Sequence, residues 1–203
     1  MPKKRRFRQF RNTAALIILA VLPLLFSGCG YNRMVTLDEG VNAAWAQVEN
    51  VYQRRMDLIP NLVETVKGYA AHEQETLTAL TEARSRAGGV MNIDEDLLND
   101  PEAFARFQQA QDSLGSALQR LLMVTENYPD LKANQNFLAL QDQLEGTENR
   151  IAVERKRFNE AVRAYNTTIR RFPQSIIANI TGFDKKQYFE SADGAEVAPE
   201  VKF

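Results

Sequence analysis

The sequence predicts an all-α fold: an antiparallel up-and-down bundle of long helices with coiled-coil-like heptad packing, ending in a short C-terminal helix and a tail. Three observations carry this. Apolar residues recur at alternating spacings of three and four along three long segments, the seam pattern of helices packed side by side. Helix start and stop signals bracket those segments. No stretch shows the period-two alternation of a half-buried strand.

The first segment opens at Thr36-Leu37-Asp38-Glu39, which reads as a capping box: Thr36 accepts from the third helical amide and Glu39 reaches back. Its stripe is Val41, Trp45, Val48, Tyr52, Arg55, Ile59, Leu62, Val66 and Tyr69. Pro60 lies inside it, and the register continues across, which predicts a kink and not a stop. The same helix is expected to run on through Leu77, Leu80 and Ala83 to Gly88-Gly89, followed by a loop to residue 100. Asp100-Pro101 restarts the helix, Asp as N-cap and Pro at the first helical position. The second stripe is Phe104, Phe107, Gln111, Leu114, Leu118, Leu121, Thr125 and Tyr128, ended by the turn Asn127-Tyr128-Pro129-Asp130. The third is Phe137, Leu140, Leu144, Thr147, Ile151, Glu154 or Arg155, Phe158, Val162, Tyr165, Ile169 and Phe172, and Pro173 stops it. A short apolar helix over residues 175–180 follows. The tail, residues 182–203, has no periodicity.

The chain has 203 residues, enough for one folded domain plus tails, and its 44% apolar and 25% charged residues are ordinary for a globular protein. The net charge of −1 conceals a split. Residues 1–28 hold six basic residues (Lys3, Lys4, Arg5, Arg6, Arg8, Arg11) and no acid, leaving 19 basic and 26 acidic residues beyond them. A body with that acidic balance repels phosphates, which argues against nucleic acid as a partner. The basic cluster directly precedes an apolar run over residues 14–26, which includes Pro23. A membrane span needs about 20 apolar residues and a signal-peptide core about 7–15. Residues 1–28 therefore read as a signal peptide or a signal anchor.

The run ends in Phe26-Ser27-Gly28-Cys29, which resembles a bacterial lipobox. There the cysteine receives a diacylglycerol and an N-terminal acyl chain, palmitate among the fatty chains, and the chain is cleaved just before it. Residues 29–35 would then be a lipidated linker and residues 36–181 the helical domain. Two or more acyl chains give durable anchoring, where one binds only marginally. Phe26 stands where leucine is usual. The alternative is an uncleaved anchor over residues 14–28 with Cys29 incidental. Either way the chain is held at the cell membrane or envelope with its body outside the cytoplasm, as a lipoprotein or a single-pass protein. Gly30 in place of an aspartate favours the outer membrane where there are two.

Candidate chemistry is sparse. Cys29 is the only cysteine, so a disulfide within the chain, a CxxC pair and a thiolate zinc site are excluded. His72 is the only histidine; His72-Glu73-Gln74-Glu75-Thr76 begins like HExxH, but threonine holds the second histidine position, so it reads as a solvated helix segment. No GxGxxG, P-loop or GxSxG occurs. The run Asp94-Glu95-Asp96 lacks the ligand spacing of a calcium loop. No catalytic residue, cofactor, metal or small-molecule substrate is indicated, and the reading is non-enzymatic. Arg55 and Glu154 are charges on seam positions: they pair as a buried polar layer that fixes register, or Arg55 snorkels to the edge. Arg54, Asp57 and Asn61 lie off the seam at i, i+3 and i+7 and are the candidate interaction face. The free C-terminal Phe203 either enters a PDZ-type groove or belongs to a tail that packs on the bundle or stays free.

The organised residues resemble the LemA family of bacterial membrane proteins. The matching stretches are Gly28-Cys29-Gly30-Tyr31-Asn32, then Ala44-Trp45, then the run from Gln53 through Ile59-Pro60-Asn61-Leu62 to His72-Glu73. Further on come Ala164-Tyr165-Asn166, Phe172-Pro173 and the terminal Pro199-Glu200-Val201-Lys202-Phe203. The resemblance implies an antiparallel helical bundle beside a membrane and no catalytic residues. It hints at membrane proteases and other envelope proteins as partners. The expected role is a helical scaffold or adaptor for envelope proteins. The alternatives are an accessory or regulatory subunit of an envelope enzyme, such as a membrane protease, and a lipid- or peptidoglycan-binding module.

Overall fold

A computed structural model describes the backbone of residues 3–91 and 97–190 and the side chains of residues 30–91 and 97–190. Among the described residues the fold is an all-α helical bundle. The elements are α1 (Lys3–Lys67), α2 (Gln74–Met91), α3 (Pro101–Thr125), α4 (Pro129–Lys132), α5 (Gln135–Arg170) and α6 (Gln174–Thr181). The basic cluster, the apolar run, Cys29, the acidic run Asp94-Glu95-Asp96 and the C-terminal Phe203 lie outside the described side chains. Where side chains are described, no helix is long and apolar enough to cross a membrane. The chain divides into two compact units: residues 1–42 with 163–185, and residues 43–162 with 186–203.

The second unit holds the four-helix core. Tyr52 and Arg55 of α1 meet Arg155 and Glu148 of α5, so those helices run antiparallel. Trp45, Tyr52 and Arg55 meet Phe104, Phe107 and Gln111 in the same order, so α3 runs parallel to α1. α2 doubles back along α1: Arg84 Nε donates to the Met56 carbonyl at 2.9 Å. The predicted seams fill the interior. Val48, Tyr52, Ile59, Leu62 and Val66 of α1 are buried, as are Phe104 through Thr125 of the second stripe and Phe137, Leu144, Thr147, Ile151, Phe158 and Val162 of the third. Asp100 caps α3 as its sequence predicts, Oδ1 accepting from Glu102 N at 2.8 Å.

Two boundaries differ from the sequence expectation. The first helix does not continue to Gly88-Gly89. It ends at Lys67, and residues 68–73 turn the chain into α2, with Ala70 N donating to Val66 O at 2.8 Å. Gly68, costly in a helix interior, sits where the helix stops. Leu80 and Ala83 fall in the register of Val66 and Tyr69 across the polar run of residues 72–76, so periodicity alone sees one helix. Tyr69, placed on the seam, is 45% exposed because the helix has already ended. His72 is exposed in this turn and not on a helix. Thr36 is likewise not an N-cap. Residues 29–35, read as a linker, are part of α1, and Thr36 Oγ1 donates to the Asn32 carbonyl one turn back at 2.9 Å. A capping residue must be non-helical, and the backbone here is helical on both sides.

The first unit packs α6 and the last turns of α5 on α1. Met34, Val41, Tyr165 and Ile169 are buried. Tyr165 OH donates to the Asp184 carbonyl at 2.9 Å, and the Phe183 ring lies between those of Tyr31 and Tyr165, at 5.8 and 6.4 Å. Burial, then the Asp38 and Asp184 carboxylates, push the Tyr165 hydroxyl well above the ordinary tyrosine range. Gly182, at φ +77°, ends α6 in the left-handed conformation that glycine adopts at least cost, its N–H bonding Ala178 O. Phe172, expected to be the last seam residue, is 80% exposed, because α5 stops at Arg170.

Candidate functional site

The second unit carries two distinct interior layers and several surface recesses. The polar layer centres on Arg55, 2% exposed. Its Nη1 donates to Glu148 Oε1 at 2.9 Å, and its Nη2 donates to the main-chain and side-chain oxygens of Gln111. Gly115 faces this guanidinium; a Cβ there would make ordinary van der Waals contact with Nη1 at 3.8 Å. Arg55 Nε and Gln111 Nε2 are buried without a hydrogen-bond partner among the described residues. Arg55 therefore lies in a polar layer, but Glu154 does not. Glu154 bonds Arg157 on its own helix at 2.7 Å. The reason is register: α5 presents Glu148, nearly two turns earlier, opposite Arg55. A second cation, Arg155, donates to the Tyr52 hydroxyl and to Asp112 Oδ1 at 3.1 Å. Burial raises the Tyr52 pKa above its ordinary value, against the opposing pull of Arg155.

The aromatic layer lies N-terminal to this on α1. Trp45, Phe104, Phe107, Phe158 and Phe189 pack with ring centroids between 5.0 and 6.4 Å. Phe189 comes from the tail, where no periodicity announced it. Its main chain is held by side-chain amides. Asn159 Oδ1 accepts from Phe189 N and Asn159 Nδ2 donates to Phe189 O, both at 2.9 Å. Gln108 makes the same pair of bonds to Glu190 at 3.3 Å. Each amide thus supplies one donor and one acceptor to an extended residue, as a neighbouring strand would. Gln108, Asn159 and Phe189 escaped the sequence reading, since none lies on a predicted seam except by adjacency. The Tyr188-Phe189 pair in an otherwise polar tail was the available signal.

A groove of about 710 Å³ runs between α2 and α3, bordered by residues 187–190. Its lining mixes small side chains such as Ala79, Ala83 and Ala117 with the polar Arg86, Gln108, Asp112 and Arg120. It lies on the surface of the unit, while the seam beneath is filled by Leu, Phe and Val side chains. Arg54, Asp57 and Asn61 are all exposed on α1. Gln53 Nε2 donates to Asp57 Oδ1 at 2.7 Å, leaving the rest of that face open to solvent. Among the described residues no three His, Cys, Asp or Glu side chains converge as a metal site.

Comparison with known proteins places this geometry in a family. The chain is 29% identical to the magnetosome protein MamQ of Magnetospirillum gryphiswaldense, over 84% of this chain and 70% of the relative. It is 30% identical, with the same coverage, to the magnetosome protein MamQ 2 of Paramagnetospirillum magneticum. Protein LemA of Metamycoplasma hominis is 25% identical over 72% of this chain and 63% of that protein. The sequence model of the LemA family matches residues 44–203, which takes in both interior layers, the groove and the tail, and the chain belongs to the LemA family.

Proposed function

We propose that this chain is a non-enzymatic, membrane-anchored envelope protein, a helical scaffold that presents exposed faces to protein partners. One observation carries the reading: the helix seams are filled by packed Leu, Phe and Val side chains, and the recesses among the described residues, of about 710, 430 and 410 Å³, open on the surface of the bundle. Enzymes place their chemistry in concave sites with a few convergent polar groups. Here the convergent polar groups, Arg55, Gln111 and Glu148, bond one another. The anchor is either lipid on Cys29 or residues 14–28. The face made by Arg54, Asp57 and Asn61 is the proposed partner contact. One observation favours a lipid-contacting role in addition: the apolar side chains that α6 leaves exposed.

Two measurements test this. Intact mass of the membrane-extracted protein, beside Cys29→Ala, distinguishes a diacylglycerol-modified chain beginning at Cys29 from an unmodified full-length chain. Site-specific photo-crosslinking from Gln53 in intact membranes should give discrete adducts that vanish in the Arg54→Ala/Asp57→Ala/Asn61→Ala variant. Identical adducts in both would remove this face from the proposal.

A further inference from the structure

The first unit leaves three large apolar side chains exposed within residues 172–180. Phe172 and Ile180 are each 80% exposed and Ile176 is 53% exposed. Ile176 and Ile180 stand at i and i+4 on α6 and share a face. The opposite face is inward, with Ala178 buried. Arg33, Arg170, Arg171 and Lys185 are exposed within the same unit. Large apolar groups left in water gain free energy when covered, so this pattern asks what covers them.

The covering surface follows from where α6 is packed. A Cβ added to Gly30 would lie 3.5 Å from Gln174 Cγ and 3.7 Å from Ile177 Cδ1. α6 is therefore seated directly on residue 30. That residue follows Cys29 and the apolar run over residues 14–26. An anchor at either position brings residue 30 to the bilayer surface, and α6 with it. Short helices with an apolar face and flanking cations lie in the plane of the headgroup–acyl boundary, cations facing anionic lipid.

We infer that α6 is an interfacial helix: Phe172, Ile176 and Ile180 enter the headgroup–acyl boundary of the bilayer that anchors the chain, and Arg33, Arg170, Arg171 and Lys185 meet anionic headgroups. The inference rests on the membrane-anchored reading and adds a second attachment point. A lipid on Cys29 by itself leaves the body free to tilt on the membrane. A tether plus α6 fixes how the chain stands on the membrane.

The test uses the full chain in phosphatidylcholine–phosphatidylglycerol vesicles with brominated acyl chains. A Phe172→Trp substitution places a reporter at an already exposed site. The native Trp45 belongs to the buried aromatic layer of the second unit and gives the baseline in the unsubstituted chain. Flotation with the vesicles reports anchoring independently. The expected result is flotation, with the contribution of the introduced tryptophan to emission quenched by roughly half, as for a side chain at the acyl boundary. Adding Ile176→Asp/Ile180→Asp should restore that emission without releasing the chain. Flotation with no bromine quenching and ready quenching by iodide overturns the inference and leaves the anchored reading intact. Shielding from iodide without bromine quenching assigns the face to a protein and also overturns it. A chain that does not float sinks the anchored reading, and this inference with it.

Discussion

The aromatic and polar layers of the second unit lie about 15 Å apart along α1, yet opposite energetics hold them. In the aromatic layer, Trp45, Phe104, Phe107, Phe158 and Phe189 leave water together and lose little beyond side-chain freedom. In the polar layer, Arg55 surrenders its hydration and recovers it only through Gln111 and Glu148. Burying an ion pair is often no better than burying apolar groups of the same volume. The difference predicts that stability resides in one layer and helix register in the other, since Arg55 meets Gln111 and Glu148 only where α1, α3 and α5 are aligned as here.

The largest effect should come from breaking the aromatic layer. Phe158 is fully buried, so Phe158→Ala should cost about 3–5 kcal/mol in urea denaturation. Phe189→Ala removes an equal ring from the same layer but should cost less, at most about 3 kcal/mol, because the tail can undock and spare the unit a cavity. Trypsin should then cut faster after Lys186. Equal losses at both positions, with no change in proteolysis, would make the tail as integral as the helices.

The polar layer sharpens the contrast. Gln111→Leu takes a buried acceptor from Arg55 and should cost about 1–3 kcal/mol. Arg55→Met added to it should recover most of that loss, since no buried guanidinium short of an acceptor then remains, and Glu148, half exposed, can be hydrated. A double variant as unstable as the single one would mean that the polar layer holds the unit together as the aromatic layer does.

Tyr52 links the two layers, its ring against Phe107 and its hydroxyl accepting from Arg155. Its pKa in the folded state is raised above 10.0, chiefly by burial. A group with a raised folded pKa contributes stability that is fully present below its unfolded value and lost as pH rises through the folded one. Stability should therefore decline above about pH 10, and Tyr52→Phe should flatten that decline. Below that pH the substitution should cost about 1 kcal/mol for the lost hydrogen bond. An unchanged alkaline slope would mean that other groups, Tyr165 of the first unit among them, account for the decline.

How far the sequence was legible follows from which signals agreed. For α3, periodicity and punctuation coincide: Asp100-Pro101 starts it, the stripe from Phe104 to Thr125 is buried, and a turn ends it. For α1 the stripe was right and both ends were wrong. The stripe of α2 happens to stand in the register of the α1 stripe, so the turn at residues 68–73 leaves no phase shift to mark it. Arg55 was legible as a buried seam charge, whereas its partner was not. Choosing Glu148 over Glu154 requires the relative shift of two helices whose paired residues stand 93 positions apart in the chain, and neither segment encodes that shift by itself. Phe189 was illegible for a related reason: a single aromatic residue in an aperiodic tail has no pattern, and its site is assembled from Trp45, Phe104 and Phe158.

The smallest predicted effects separate the two kinds of boundary. Asp100 and Thr36 carry equally good N-cap sequences, but only Asp100 has a cap's backbone, at φ −96° and ψ 112°. Its carboxylate satisfies the Glu102 amide, so Asp100→Ala should cost about 1 kcal/mol. Thr36 is exposed in the helix interior and bonds the Asn32 carbonyl, which already serves the helix ladder. Alanine has the higher helix propensity there, so Thr36→Ala should be neutral or stabilise by about 0.5 kcal/mol. The two substitutions should therefore differ in sign, or nearly so, in the same denaturation experiment. A loss of about 1 kcal/mol at both would mean that the bundle helix begins near Thr36, that residues 29–35 are a linker after all, and that α6 is not seated on a continuous helix. The smallest measurement in the series thus bears on the largest structural question, whether anchor and bundle are joined by a helix or a hinge.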